Sequence, residues 1–257
     1  MGGQREVMAG HSKWANRIHR KSRQDAKRGK IFGKLSREII VAARLGGGDP
    51  LTNNRLRLAI EAARGASMPL DNIDRAIKRG TGGADGVSYE EITYEGYGPG
   101  GAALMLSCLT DNRQRTVAEV RSIFDRRGGR LGESGSVAWM FEQKGVIVVN
   151  KRGQVDGEAL FLLAADAGAD DVQEDEETYE VRTDPRNYQA VHDALKEAGY
   201  EFERAEVTFV SANTTQVADD KAKQLLNLLE ALDDQDDVQK VYSNFEVSDE
   251  VLAAMEN

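Results

Sequence analysis

The change in hydrophobic period at residues 81–86 is the feature that most constrains the fold of this chain. Before the segment TGGADG, apolar residues recur at the spacing of amphipathic helices; after it, EEITYEG and AALMLSCLT have the period of strands. A helical stripe and a pleated strand bury their apolar faces in different layers. The sequence therefore predicts an α+β protein in which a helical domain precedes sheet-containing domains.

Three helices are predicted before this linker. The first runs from Asp25 to Leu45 and stops at a triple glycine, the second begins near Asn53, and the third runs from Pro69 to Gly80. Each has one apolar stripe, so the three form a small bundle. We predict a helical domain over residues 8–80.

Two α/β-sandwich domains are predicted after the linker. The order strand, helix, strand, strand, helix, strand between GVIVVN and EVTFVS predicts a ferredoxin-like βαββαβ domain over residues 136–210. The amphipathic helix and the strand VQKVYSNFEV that follow cannot form a core alone. We therefore predict that residues 211–249 return to complete the domain begun at 87–135, which makes the middle domain discontinuous and the ferredoxin-like domain an insertion in it.

Charge divides the chain into two unlike parts. Residues 1–80 carry 18 Lys and Arg against 7 acids, a net charge of +11, whereas residues 81–257 carry 16 against 36, a net charge of -20. The segment HSKWANRIHRKSRQDAKRGK, residues 11–30, holds eight basic residues and one acid. Phosphate groups would neutralise the repulsion within such a segment and release condensed counterions. The acidic remainder would be repelled by phosphate and leave the cationic end facing it.

Two interpretations of the cationic segment are possible: a solvated helical face, or a nucleic-acid-binding region. We predict the second, with these contact residues: Lys13, Trp14, Arg17, His19, Arg20, Lys21, Arg23, Lys27, Arg28, Lys30 and Lys34. Trp14 and His19 can stack on unpaired bases while the cations follow the backbone. Alternatively, Trp14 and Ile18 staple the segment to the bundle.

A second basic group surrounds the helix RQRTVAEVRSIFDRR. Arg113 and Arg115 begin it, and Arg127 and Arg130 flank the glycines at its end. We include these four in the predicted nucleic-acid site. Compensation of the helix dipole is an equally good account of Arg126 and Arg127.

The sequence gives no sign of catalysis, a cofactor or a metal. His11, His19 and His192 lack metal-ligand spacing, and the loops GYGPGG and GGGDP lack the context of phosphate-binding loops. No apolar run approaches the roughly 18 residues of a membrane span, and the one cysteine, Cys108, lies in an apolar run. We expect no catalytic residue, no small-molecule substrate, no membrane partner, a cytoplasmic location, and a monomer or weak oligomer.

Several long motifs resemble the YebC family, also known as PmpR-type regulators. They are MAGHSKWAN, HRK, QDAKRGKIF, VAARLGGGDP, NRLRLAIEAAR, NIDRAIKRGTGG, YEGYGPGG, LTDNR and VYSNFEV, and they extend from Met8 almost to the C-terminus. The resemblance implies three domains, one helical and two α+β, and a translation start at Met8. Two departures stand out. The cationic segment, or arm (residues 11–30), reads Asn-Arg-Ile-His-Arg-Lys at residues 16–21 where the family usually has Asn-Ile-Lys-His-Arg-Lys, and Arg127 and Arg130 stand where the family often has asparagines.

The resemblance implies one of two kinds of regulator. Bacterial members are labelled DNA-binding transcriptional regulators, whereas a mitochondrial relative activates translation of a cytochrome oxidase subunit and bacterial relatives relieve ribosome stalling at proline-rich stretches. We therefore expect a non-enzymatic, nucleic-acid-binding regulator whose partner is promoter DNA or ribosomal RNA and the ribosome. A protein-binding adaptor and an enzyme acting on nucleic acid are the competing hypotheses.

Overall fold

The computed structural model describes residues 28–82, 88–151, 155–175 and 177–248. Three helices come first: α1 (Arg28–Gly46), α2 (Asn54–Gly65) and α3 (Leu70–Thr81). The remaining helices are α4 (Arg113–Arg126), α5 (Gly157–Asp166), α6 (Tyr188–Glu197) and α7 (Asp219–Asp233). The longer strands are β1 (Glu90–Tyr97), β2 (Ala103–Thr110), β4 (Phe141–Asn150), β5 (Ala169–Glu174), β6 (Thr178–Thr183), β7 (Phe202–Ser211) and β9 (Val238–Ser243); the two-residue strands are β3 (Arg130–Leu131), β8 (Thr215–Gln216) and β10 (Phe245–Glu246).

Asn53 joins the first two helices. Its side-chain Oδ1 accepts a hydrogen bond from the Leu56 amide at 3.1 Å, which caps α2. Its Nδ2 donates to the carbonyl of Ala42 near the end of α1 at 2.7 Å and to that of Gly47, which directly follows α1, at 2.8 Å. One buried side chain therefore satisfies orphan backbone groups of two helices and fixes the angle between them.

The helical region has its own core. The apolar stripes predicted from the sequence meet there, with α1 contributing Ile39 and Ala42, α2 contributing Leu56 and Ile60, and α3 contributing Ile73. These residues are 7% exposed or less. The three stripes bury one another, as expected for a small bundle.

The first sheet has the strand order β3-β1-β2-β9. Strand β9 comes from the end of the chain and pairs antiparallel with β2, where Leu106 lies opposite Val241. Helices α4 and α7 cover one face of this sheet with Phe124, Leu225 and Leu229. Residues on either side of the second sheet in the sequence therefore share one core.

The second sheet has the antiparallel order β5-β6-β4-β7. Helices α5 and α6 pack on one face through Leu160, Val191 and Leu195, which bury Ile147 and Val149 of the central strand. This is the βαββαβ arrangement of a ferredoxin-like fold. A contact between Phe209 and Tyr242, with ring centroids 5.4 Å apart, links the two sheets.

The structure confirms the predicted fold class: a helical region followed by two sheet-containing regions. One strand is longer than predicted. The apolar run predicts a strand from residue 146, but β4 begins at Phe141 because the polar segment 142–144 pairs with Thr208–Val210 of β7. Backbone hydrogen bonds between paired strands do not depend on side-chain polarity, so the strand includes these polar residues. The residue boundaries of the three domains stay a prediction.

Candidate nucleic-acid interface

Most of the predicted contact residues precede the described part of the chain. Lys13, Trp14, Arg17, His19, Arg20, Lys21, Arg23 and Lys27 lie outside the described residues. Arg28 is the first residue of α1, and only its backbone is described. Lys30, Lys34, Arg113, Arg115, Arg127 and Arg130 can be placed.

Lys30 and Lys34 contact residues 233–237, which we call the acidic turn. Its sequence is Asp-Asp-Gln-Asp-Asp, and it joins α7 to β9. Lys30 Nζ donates to the Asp234 carbonyl at 3.0 Å, and Lys34 Nζ lies 3.2 Å from Asp233 Oδ1. The carbonyls at the C-terminal end of a helix carry partial negative charge, so the turn attracts cations through its backbone as well as its carboxylates.

Arg37 extends the same contact by one helical turn. Its guanidinium donates to the Asp236 carbonyl and lies 3.9 Å from Asp237 Oδ1. Arg37 is not among the contact residues predicted from the sequence. The run DDQDD is the signal that could have identified a partner for the cationic face of α1.

Asp237 is the buried centre of this contact, with a side chain 3% exposed. Its Oδ2 accepts from Arg115 Nη2 at 2.8 Å and from Thr116 Oγ1 at 2.7 Å. Burial acts to raise the pKa of the Asp237 carboxyl, but the hydrogen bonds from Arg115 and Thr116 and the charges of Arg115 and Arg37 bring that pKa below its usual value. The carboxylate thus joins α1, α4 and β9.

Arg115 is held between two carboxylates. Besides Asp237, it contacts Asp111 Oδ1 at 2.9 Å, and the side chain of Arg115 is 43% exposed. These contacts give Arg115 a structural role. Its place in the nucleic-acid site stays a prediction.

The four arginines of the second basic group do not form one cluster. Arg113 and Arg115 begin α4, whereas Arg127 and Arg130 follow its end, and a 14-residue helix is roughly 21 Å long. Arg127 donates to the Asn227 carbonyl on α7 at 3.1 Å. Gly128, with φ 76°, reverses the chain so that the exposed Arg130 enters strand β3.

Further cations of the helical region are exposed on α2 and α3. They are Arg64, Arg75, Lys78 and Arg79. Lys78 and Arg79 are in the last turn of α3, where they also compensate the helix dipole. The helical region therefore offers phosphate a positive surface in addition to the face that contacts the acidic turn.

A cleft of about 1740 Å³ separates the helical region from the two sheets. Residues of α1, α2, β7 and β9 line it, with five Lys or Arg side chains against seven Asp or Glu side chains. Such mixed charge does not favour a polyanion. The cleft is therefore a poorer candidate for nucleic-acid binding than the outer face of the helices.

Reactive groups in the described residues show no arrangement typical of catalysis. Burial, the largest cause, and the nearby Asp237 charge raise the pKa of the Cys108 thiol to about 12, so it is a buried, protonated side chain. Within residues 28–82, 88–151, 155–175 and 177–248, no group of three or more His, Cys, Asp or Glu side chains is placed to hold a metal ion. The helices in these ranges are too short or too polar to cross a bilayer.

Comparison with known proteins covers almost the whole chain. The family model described as "TACO1/YebC protein N-terminal domain" matches residues 12–83, and "TACO1/YebC second and third domain" matches residues 89–245. A probable transcriptional regulatory protein of Dictyoglomus turgidum is 54% identical over 96% of this chain and 100% of its own length. One from Geobacter sulfurreducens is 54% identical over 95% and 98%, and one from Thermotoga maritima is 53% identical over 97% and 100%.

A solved structure is also similar. The crystal structure of a conserved hypothetical protein from Aquifex aeolicus matches with a TM-score of 0.81 and 48% identity, and the match covers 89% of this chain and 94% of that one. Both the sequence and the arrangement of its elements are therefore shared with this chain.

Proposed function

The chain belongs to the TACO1/YebC family, and from that premise we propose that it is a non-enzymatic regulator of gene expression that acts by binding nucleic acid. The observation that carries the proposal is the separation of charge along the chain: +11 over residues 1–80 and -20 over residues 81–257. A polyanion is attracted to the first part, and the net charge of the second part repels it except near local basic groups such as Arg127 and Arg130. The charge distribution therefore orients the protein on its ligand.

The exposed cations of α2 and α3 support this proposal. Arg64, Arg75, Lys78 and Arg79 reach solvent from helices whose apolar sides are committed to the core. Phosphate contacts from such side chains bind without reading sequence. Selectivity for a target would have to come from other contacts.

Replacing Lys13, Arg17, Arg20 and Lys21 together with glutamine tests the proposal. We expect weaker binding to RNA and DNA. The slope of log K against log salt should also become shallower by about 3, because each lost phosphate contact removes roughly 0.7 to 0.9 from that slope. The measurement is fluorescence anisotropy between about 50 and about 200 mM salt.

The matched control replaces four basic residues of the acidic part of the chain with glutamine, namely Arg186, Lys196, Lys221 and Lys223. Both variants lose four positive charges, so only location distinguishes them. Equal affinity of the arm variant and the control would contradict the proposal and favour an adaptor that binds an acidic protein.

The target is promoter DNA or ribosomal RNA. The bacterial relatives are named probable transcriptional regulatory proteins, which favours DNA as the first candidate. Trp139, which is 69% exposed, favours a ligand with unpaired bases and hence RNA as the second candidate. Crosslinking in cells followed by sequencing of both nucleic acids decides between promoter and ribosomal fragments.

A further inference from the structure

Trp139 projects into solvent from the turn formed by residues 132–140, which we call the Trp139 turn. The residue is 69% exposed, although the nearby Val137 and Phe141 are buried. The other large apolar side chains that are exposed in the described residues are Leu45, Leu51, Leu70, Phe161 and Leu162. Trp139 is the one tryptophan that the structure describes.

A buried carboxylate holds the Trp139 turn in place. The side chain of Glu95 in β1 accepts hydrogen bonds from the amides of Gly135 at 2.6 Å, Val137 at 2.7 Å and Ala138 at 2.7 Å. The Glu95 carbonyl also accepts from the Gly132 amide at 2.8 Å. Hydrogen bonds to an ionised acceptor are among the strongest in proteins, so the backbone that carries Trp139 is rigid.

The indole ring is also oriented. Trp139 Nε1 donates to the Ser136 carbonyl at 3.2 Å, and the Tyr97 hydroxyl donates to the same carbonyl at 3.0 Å. The two aromatic side chains therefore meet at one backbone oxygen. Because the ring is held before any ligand arrives, binding there loses little conformational freedom.

Arg130 lies on the same side of the first sheet. It pairs with Tyr97 across β3 and β1, and paired residues of antiparallel strands point to the same face. Its neighbour Leu131 packs on the opposite face, against the core under α4 and α7, which agrees with this orientation. The surface thus combines an exposed guanidinium, a tyrosine and an exposed tryptophan.

We propose that Trp139 is a stacking site for an unpaired base of single-stranded nucleic acid, with Arg130 contacting the adjoining phosphate. The inference rests on the proposed function and adds the class of ligand. An aromatic face beside a cation is the arrangement that binds single strands. A protein-docking patch would need a contiguous apolar area, whereas the exposed residues next to Trp139 in its turn are Glu133, Ser134 and Gly135.

Two variants of Trp139 test the site in the full-length protein. We expect Trp139→Ala to weaken binding to single-stranded oligouridine roughly 5- to 150-fold and to leave binding to duplex DNA unchanged, because base stacking contributes about 1–3 kcal/mol per base. Trp139→Phe, which keeps a ring, should retain most of the affinity. Phe161→Ala is the control, because Phe161 is an exposed aromatic residue on α5, between the acids Glu158 and Asp166.

Salt dependence separates base stacking on Trp139 from the phosphate contact of Arg130. Trp139→Ala should leave the slope of log K against log salt unchanged, whereas Arg130→Gln should flatten it by about 0.7 unit for a single strand. In a Trp14→Phe background, Trp139 is the one remaining tryptophan, and saturating oligouridine should quench its fluorescence. The quenching is measured with Trp139 in place, so it does not depend on whether a Trp139 variant folds less well.

The possible outcomes separate this inference from the proposed function. If the intact protein binds neither single strands nor duplexes, the proposed function fails. The proposed function stands if the intact protein binds both and the four-residue arm variant binds more weakly. If Trp139→Ala then behaves like Phe161→Ala and Trp139 fluorescence does not change, only the stacking site is refuted. Equal losses for single strands and duplexes would refute it as well.

Discussion

Glu95 shows how one residue can determine the shape of a surface. Glu95 is 4% exposed, and its carboxylate has three backbone N–H donors. Burial by itself would raise the pKa of this carboxyl, but the amides of Gly135, Val137 and Ala138 together bring the pKa below its usual value. The native turn therefore favours the ionised form of Glu95.

A consequence follows for the pH dependence of the Trp139 turn. Because the folded-state pKa of Glu95 is lowered, its stabilisation is present above the unfolded-state pKa of about 4.3 and is lost as the pH falls through the folded-state value. In a Trp14→Phe background, Trp139 fluorescence should change at a pH below about 4.3. Glu95→Gln should abolish that transition.

The same variant should loosen the turn at neutral pH. A glutamine offers one oxygen and places an NH₂ group against backbone donors, so the turn loses hydrogen bonds that contribute about 1.5–3 kcal/mol each when the acceptor is charged. Amide hydrogen exchange at Gly135, Val137 and Ala138 should accelerate at least tenfold. Unchanged exchange would contradict the anchoring role of Glu95.

Helix α1 has two faces with different partners. Ile39 and Ala42 pack in the helical core, while Lys30, Lys34 and Arg37 contact the acidic turn. Phosphate groups compete for the same cations. The contact between α1 and the acidic turn is therefore expected to weaken when a polyanion binds.

Replacing Lys30, Lys34 and Arg37 with glutamine should release the acidic turn from α1. The ion pairs of Lys34 and Arg37 contribute about 0.2–1 kcal/mol each, and Lys30 adds a hydrogen bond to a backbone carbonyl, so amide exchange at residues 234–237 should rise several-fold. The control changes Arg64, Arg75 and Lys78, three exposed cations of the same region, to glutamine. Equal amide exchange rates in the two variants would show that these charges do not stabilise the contact between α1 and the acidic turn.

At the scale of the whole molecule, the charge of the sheet-containing regions decides how the protein approaches a polyanion. The described ion pairs between α1 and the acidic turn use a few of these acids, and most of the net charge of -20 over residues 81–257 stays uncompensated. Long-range repulsion of phosphate follows from that surplus.

Neutralising distant acids should strengthen nucleic-acid binding. We expect Asp166→Asn, Glu197→Gln and Glu201→Gln together to raise affinity a few-fold at about 50 mM salt and much less at about 200 mM, because screening shortens the reach of exposed charges. Serine at the exposed Ala159, Ala165 and Ala190 of α5 and α6 is the control. An increase that is equal at both salt concentrations would indicate a cause other than long-range repulsion.

The sequence by itself determined the layers of this protein. Helical spacing predicted an apolar stripe on each of the first three helices, and the order of apolar runs predicted the ferredoxin-like sheet, because these patterns are local and each element must bury its apolar face. The sequence also located the concentration of positive charge. Such charge is a property of composition and needs no fold.

Only the tertiary structure decided which charges meet. Lys34 and Asp233 are 199 residues apart in the chain, and nothing local to either predicts the other. The predicted second basic group is divided because Arg115 and Arg130 belong to opposite ends of one helix. The Trp139 surface depends on a strand pairing that brings Arg130 beside Tyr97 and on a buried glutamate forty residues from the turn that it holds. These contacts join residues that are far apart in the sequence, and the spacing of apolar residues carries no information about them.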